Sequence, residues 1–264
     1  MSVRNSAAAD CDVYYRRAKE FGFRARSAFK LLQLDDQFDL FCGVQRAVDL
    51  CAAPGSWSQV LSQKLYSEQE LLNWKQNHDA DNESLKIVSV DLQEIAPIPG
   101  VKLIQGDITS EKTVTEIACH FRGKKAQIVV CDGAPDVTGM HDVDEFLQAE
   151  LLHAAFHVAA HVLEDGGTFV AKIFDCKQYE LLASQFALFF ADVSRFKPES
   201  SRIQSNEAFI IGQHFCLPDT YKASISPYSS AGSNSAKHEN FDPILVPYMA
   251  SGDLSGYDAL QKFS

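Results

Sequence analysis

The sequence predicts an α/β domain built on a mainly parallel sheet of seven strands. Three observations carry that prediction. At 264 residues and 46% hydrophobic composition the chain can bury one sizeable core. From Arg46 onward, short runs rich in β-branched residues alternate with amphipathic stretches of helical period. Several of those runs end in an acid or in a small-residue turn, as strands do when they lead into a ligand crevice.

In chain order, the strand runs are 46–50 (RAVDL), 87–91 (IVSVD), 101–105 (VKLIQ), 127–132 (QIVVCD) and 167–174 (GTFVAKIF), with 192–196 (DVSRF) and 207–212 (EAFIIG) completing the sheet. Helices are expected at Ser56–Tyr66, Ser110–Phe121, Val143–Leu163 and Gln178–Phe190. The polar segment Ser67–Ser84 is long for a connection inside such a domain, where loops usually take about 2 to 6 residues, and reads as a surface insertion. Beyond Cys216 the composition turns to Ser, Pro and Gly, so Leu217 to about Asn240 reads as loop or disorder. The organisation expected is a basic, aromatic helical extension over 1–44, a core over 45–216 and a loop-rich tail over 217–264.

Bulk composition narrows the function classes. The longest apolar stretch, Leu151–Leu163, is interrupted by histidines and falls short of the roughly 20 residues of a membrane span. The first residues, MSVRNSAAADCDVYY, lack the apolar run of a secretory signal. Seven scattered cysteines without a C-x-x-C pair read as reduced thiols of a cytosolic or nuclear setting, without a metal centre, and the location expected of the protein is cytoplasmic. His153, His157 and His161 share one helix face with no carboxylate or thiol at ligand spacing, and read as partly exposed helix residues. A net charge of −11 argues against indiscriminate coating of nucleic acid, yet the first 30 residues hold seven basic side chains against three acids. That local footprint interleaves Arg16, Arg17, Arg24 and Arg26 with Tyr14, Tyr15, Phe21, Phe23 and Phe29, a mixture suited to RNA backbone contact and base stacking, although the same rings could instead pack on the sheet.

The strand ends suggest a nucleoside ligand. Gly55, in the turn CAAPGS, permits close backbone approach, and the helix after it opens with free amides. Asp91 could accept ribose hydroxyls, Asp107 could reach an adenine amino group, and Asp132 stands in the constrained turn DGAP. An acid closing a strand is more often a loop cap, so the weight lies in their serial order. The glycine pattern of a dinucleotide fold is missing, which disfavours a pyrophosphate and favours S-adenosylmethionine.

These motifs resemble the FtsJ/RrmJ-like RNA ribose 2′-O-methyltransferase family. The resemblance rests on RARSAFKL (24–31), DLCAAPGSWSQ (49–59), GDI (106–108), DGAPDVTG (132–139), FVAKIF (169–174) and SSRIQSNEAF (200–209). The segments APDVTGMHDVDE (134–145) and VPYMASGDLSGYD (246–258) are similar to the eukaryotic branch that methylates tRNA anticodon loops at nucleotides 32 and 34. What the resemblance implies is a Rossmann-like, S-adenosylmethionine-dependent methyltransferase fold, with seven strands of which the last is antiparallel. It also implies a catalytic tetrad of Lys30, Asp132, Lys172 and Glu207, and cofactor contacts at Gly55, Trp57, Asp91, Asp107 and Asp132. Similarity to that branch further implies auxiliary protein subunits that select the nucleotide. Rival readings are methylation of ribosomal RNA or an mRNA cap, and a non-catalytic RNA-binding scaffold of the same fold.

The tetrad makes chemical sense. A sulfonium methyl is already electrophilic, so such an enzyme must hold a 2′-hydroxyl in line and manage one proton. An amine accepts a proton only when its basicity is drawn down, which a neighbouring ammonium does and a carboxylate opposes. On that reading Lys172 is the proton acceptor, Lys30 positions the hydroxyl and biases Lys172, Asp132 orients the Lys172 amine, and Glu207 fixes the lysines. Asp49 is read as support for the turn that follows it.

Overall fold

The structure is a computed structural model that describes residues 13–76, 85–135, 138–174, 179–202 and 204–218. Helix α1 spans residues 13–20, and the chain continues through α2 (Ala28–Phe38), β1 (Ala47–Leu50), α3 (Ser56–Leu65), α4 (Glu68–Gln76), β2 (Ile87–Asp91), β3 (Val101–Gln105), α5 (Glu111–His120) and β4 (Ala126–Cys131). It ends with α6 (His141–Val162), β5 (Leu163–Phe174), α7 (Tyr179–Phe186), β6 (Phe190–Phe196) and β7 (Glu207–Phe215). The strands form one seven-stranded sheet of order β3-β2-β1-β4-β5-β7-β6. All pairs from β3 to β5 are parallel, and β7 runs antiparallel between β5 and β6. Strand order reverses between β1 and β4, which is where an open α/β sheet opens a crevice at its carboxyl edge.

The period of two along each strand sorts side chains between two hydrophobic layers. Val48, Leu50, Val88, Val90, Val129, Phe169, Ala171 and Ile210 face the layer that contains Phe156 of α6 and Phe186 of α7. Ala47, Ile87, Ile128, Val130, Val170, Phe209 and Ile211 face the opposite layer, with Leu31 and Leu34 of α2 and Trp57, Val60 and Leu61 of α3. Segment 13–44 therefore shares a core with the sheet, through Ala18, Phe23, Ala28, Leu31, Leu34 and Leu40.

Differences from the expected elements have local causes. Ser67–Ser84 reads as a surface insertion with no helix marked in it, and its first part forms α4. A capping box closes that helix: Ser67 N donates to Glu70 Oε2 at 2.7 Å, and Glu70 N donates to Ser67 Oγ at 3.3 Å. The Ser67 amide, helped by Lys86, holds the Glu70 carboxyl down to about 2. Helix α7 stops at Phe186, short of the Phe190 expected, because Phe186, Phe189 and Phe190 each pack on Phe156, and a turn at 187–189 lets them do so before β6 begins. Strand β7 extends to Phe215, three residues past the expected end, through pairing of Phe215 with Phe190. All but the first two residues of the expected loop from Leu217 to Asn240 lie outside the described residues.

Candidate active site at the carboxyl edge of the sheet

The same period of two builds the site. Val130 of β4, Val170 of β5 and Phe209 and Ile211 of β7 face the layer of α2 and α3. Stepping two residues onward gives Asp132 and Lys172, and stepping two back from Phe209 gives Glu207. Helix α2 turns its buried stripe, Ala28, Lys30, Leu31 and Leu34, toward that same layer. Four charged side chains from four elements thus meet at one edge of an apolar layer.

Lys30 is only 8% exposed, and its Nζ donates to Glu207 Oε2 at 2.9 Å. Asp132 Oδ1 lies 3.6 Å from Lys30 Nζ and 3.7 Å from Lys172 Nζ. Lys172 Nζ also donates to the main-chain oxygen of Asp132 at 3.4 Å. Asp132 Oδ1 is buried with two ammonium groups in ion-pair range and no hydrogen bond of its own. The two acids are driven in opposite directions. Burial pushes the Asp132 carboxyl above the ordinary carboxylate range, against the pull of Lys30 and Lys172. Burial acts on Glu207 in the same sense, but the charge and hydrogen bond of Lys30, with Ser201 and Lys172 behind them, outweigh it and hold Glu207 low.

Next to this cluster the β1–α3 turn presents the expected crevice residues. Gly55 has φ +102°, and a Cβ there would stand 2.7 Å from Ile98 Cδ1 and 2.8 Å from Arg24 Nη1. The glycine is therefore required by its own surroundings as well as by any ligand. No side chain caps α3, so its opening amides remain oriented toward the crevice. Asp91 Oδ2 accepts from Ala53 N and Oδ1 from Gln93 N, both at 2.8 Å, which ties the β2 end to the turn. Asp107 is exposed and uses Oδ1 on the Thr109 amide and hydroxyl, leaving Oδ2 as an acceptor among the described residues. The Trp57 side chain is buried, donates Nε1 to Ser27 O at 2.8 Å and packs on Phe209, so only its backbone can meet a ligand.

This donor set can be tested against the expected cofactor. Arg24, whose guanidinium reaches the β1–α3 turn, is bonded to the carbonyls of Pro54 and Pro97 at 2.9 Å each. The crevice offers carboxylates for hydroxyl and amino groups and a helix start for a carboxylate, a set that fits a nucleoside joined to an amino acid rather than to a pyrophosphate.

The remaining expected residues separate. Arg16 and Arg17 are exposed on α1, whereas Arg26 donates to Ser200 O and, like Arg24, serves the fold. Tyr14, Phe21, Phe23 and Phe29 pack on one another, with ring centroids 5.5 to 6.5 Å apart. Tyr15 carries Lys19 Nζ 4.6 Å over its ring. His157 is buried rather than partly exposed, because its position on α6 turns it into the helix-sheet layer; its carbonyl bonds His161 Nδ1 at 2.8 Å. Burial also lowers the His153 imidazole from its ordinary value. No group of metal-ligating side chains occurs among the described residues, and no described helix is long and apolar enough to cross a membrane.

Several supports had no clear signal in the sequence. Ser27 and Ser56 hydroxyls meet at 2.6 Å and join the start of α2 to the start of α3. Gln33 Oε1 accepts from the Ser200 amide at 2.9 Å and its hydroxyl at 2.8 Å, which fixes the β6–β7 connection leading to Glu207. Gln148 of α6 bonds the backbones beside Asp132 and Lys172. These are polar residues whose partners lie far along the chain, and of them only Ser27 falls within a motif that carries the family resemblance, RARSAFKL (24–31).

A switch point between β1 and β4, an antiparallel seventh strand and a charged tetrad beside an acidic crevice define a Rossmann-like methyltransferase. The chain belongs to the FtsJ-like methyltransferase family, which it matches over residues 23–215. It is 53% identical to a human tRNA (cytidine(32)/guanosine(34)-2′-O)-methyltransferase over 96% of this chain and 73% of the human protein. A Schizosaccharomyces pombe protein with the same description is 50% identical over 94% of this chain and 83% of its own length. Among solved structures, a putative ribosomal RNA methyltransferase from Plasmodium falciparum shares the fold with TM-score 0.59 at 24% identity, covering 73% of this chain and 98% of that one.

Proposed function

We propose that the protein is a tRNA 2′-O-ribose methyltransferase that uses S-adenosylmethionine and acts on nucleotides 32 and 34 of the anticodon loop. The observation that carries this reading is the buried meeting of Lys30, Asp132, Lys172 and Glu207 at the carboxyl edge of the sheet. The relatives described as acting on those nucleotides, at about half identity over nearly the whole chain, support the choice of tRNA over ribosomal RNA or a cap.

S-adenosylmethionine supplies, when bound, a sulfonium methyl that needs no further activation. Gly55 and the backbone of Trp57 would hold its amino-acid end, Asp91 its ribose, Asp107 its adenine, and Asp132 would lie near the methyl donor. The two lysines have unequal roles because they are unequally committed. Lys30 is bound to Glu207 at 2.9 Å and serves as a fixed donor to the ribose hydroxyl. Lys172 meets Asp132 only at 3.7 Å through the carboxylate and 3.4 Å through the main chain, so its amine is the one available to take the hydroxyl proton. Asp132 orients that amine, and Glu207 keeps Lys30 in place.

Arg16 and Arg17, exposed on α1, supply the RNA backbone contact in this proposal, while Arg24 and Arg26, bonded to main-chain carbonyls, serve the fold beside them. So small a basic footprint on a chain of charge −11 supports the further proposal that auxiliary subunits help to select the nucleotide. A cytoplasmic setting belongs to the same reading, supported by described cysteines that are all free thiols.

Replacing Lys172 by Ala tests the catalytic assignment. S-adenosylhomocysteine affinity should stay within about twofold, while methyl transfer falls by at least about 100-fold, the scale of losing a positioned acid or base. A variant that turns over at the normal rate would remove Lys172 from the mechanism.

A further inference from the structure

We infer that Gln148 is a positioning residue for methyl transfer, setting the separation of the strand ends that carry Asp132 and Lys172. This inference rests on the tetrad reading above and adds a residue outside it.

The ladder between β4 and β5 makes its last pair at Cys131↔Ala171. One residue further along, just past the last pair of this ladder, come Asp132 and Lys172. Gln148, 4% exposed on α6, takes over at that point: its Nε2 donates to Lys172 O at 2.9 Å and to Gly133 O at 3.3 Å. A single amide nitrogen therefore links the backbones on either side of the Asp132–Lys172 contact, beyond the last paired residues of the ladder.

The geometry also fixes which way round the amide sits. Both partners are carbonyl oxygens, so only the nitrogen can face them. Oε1 then points away from both carbonyls and is buried without a hydrogen-bond partner among the described residues. An apolar side chain of similar length would remove that acceptor but take the donor from the carbonyls of Gly133 and Lys172, so only a side chain with an N–H at this reach can join the two backbones. Among the described residues Gln148 makes its hydrogen bonds to main-chain oxygens beside the tetrad side chains, so it acts on them through the backbone.

The test compares Gln148→Met and Gln148→Glu, both of similar length, in the full chain. The inference expects kcat to fall by about 10- to 100-fold, the scale of a sub-ångström to 1 Å misplacement. It also expects a displaced pH limb of kcat, with S-adenosylhomocysteine affinity and the KM for tRNA within about twofold of the parent. Independently of turnover, the side-chain NMR signals of Lys172 should move in both variants while those of Lys30, held by Glu207, stay in place. Unchanged kcat and pH limb, or unmoved Lys172 signals in a folded variant, overturns the inference. If Met does not fold, the Glu variant, which keeps a polar atom at that site, decides alone. A parent protein inactive on tRNA would refute the proposed activity instead, and the Lys172 signals would still judge the role of Gln148.

Discussion

Asp49 shows how a single buried carboxyl can fix a turn at a cost that depends on pH. It is 1% exposed at the end of β1 on the α3 side of the sheet, and accepts from Ser58 Oγ at 2.5 Å; Ser58 in turn meets Ser89 at 2.9 Å. Burial raises its carboxyl from 3.8 to about 7, the Ser58 bond opposes the rise, and the charges of Asp132 and Asp91 reinforce it. Because the folded value is the higher one, the native state keeps a proton that the unfolded chain gives up. Stability contributed by this group is thus fully present below 3.8 and declines as pH rises toward about 7, then levels off. Asp49→Asn keeps the acceptor for Ser58 and cannot ionise. Its urea midpoint, measured between pH 4 and 8, should lack that part of the decline and match or exceed the parent at pH 8. An identical pH dependence in the two proteins would show that Asp49 does not titrate in this range.

At the level of elements, the β1–α3 turn is where sequence and structure agree most closely, and for two reasons. The run VDLCAAPGSW carries both the strand-to-helix switch and a glycine whose φ of +102° disfavours a side chain. Gly55→Ala should therefore cost more than about 1 kcal/mol in backbone strain alone, before the contacts with Ile98 and Arg24 are counted. Urea unfolding would measure that loss, and S-adenosylhomocysteine affinity should fall with it; a variant as stable as the parent would contradict the account of the turn. Other elements were harder to read. The capping box that starts α4, Ser67 with Glu70, lies in a segment that its length and polarity mark only as a surface insertion. The apolar run around Phe186–Phe190 has no period that separates helix from strand, so only the packing on Phe156 decides where α7 ends.

Across the whole molecule, Lys30, Asp132, Lys172 and Glu207 could be singled out because each sits in a dense motif of the family resemblance, and the period of two explains why the last three reach one face. Their supports could not be, since Gln148, Gln33 and Ser27 act through partners distant in sequence. Nor could the sequence alone separate arginines that face outward, Arg16 and Arg17, from those that bind carbonyls of the fold, Arg24 and Arg26. The central claim is that these charges methylate riboses of the anticodon loop. Its most direct test is mass-spectrometric mapping of ribose methylation in unmodified tRNA incubated with the protein and S-adenosylmethionine, with and without extract from cells lacking the protein. The account predicts new 2′-O-methyl groups at nucleotides 32 and 34 that are absent with the Lys172→Ala variant and more abundant when extract supplies auxiliary subunits. Methylation confined to other RNAs, or an anticodon loop left unmodified in both conditions, would contradict it.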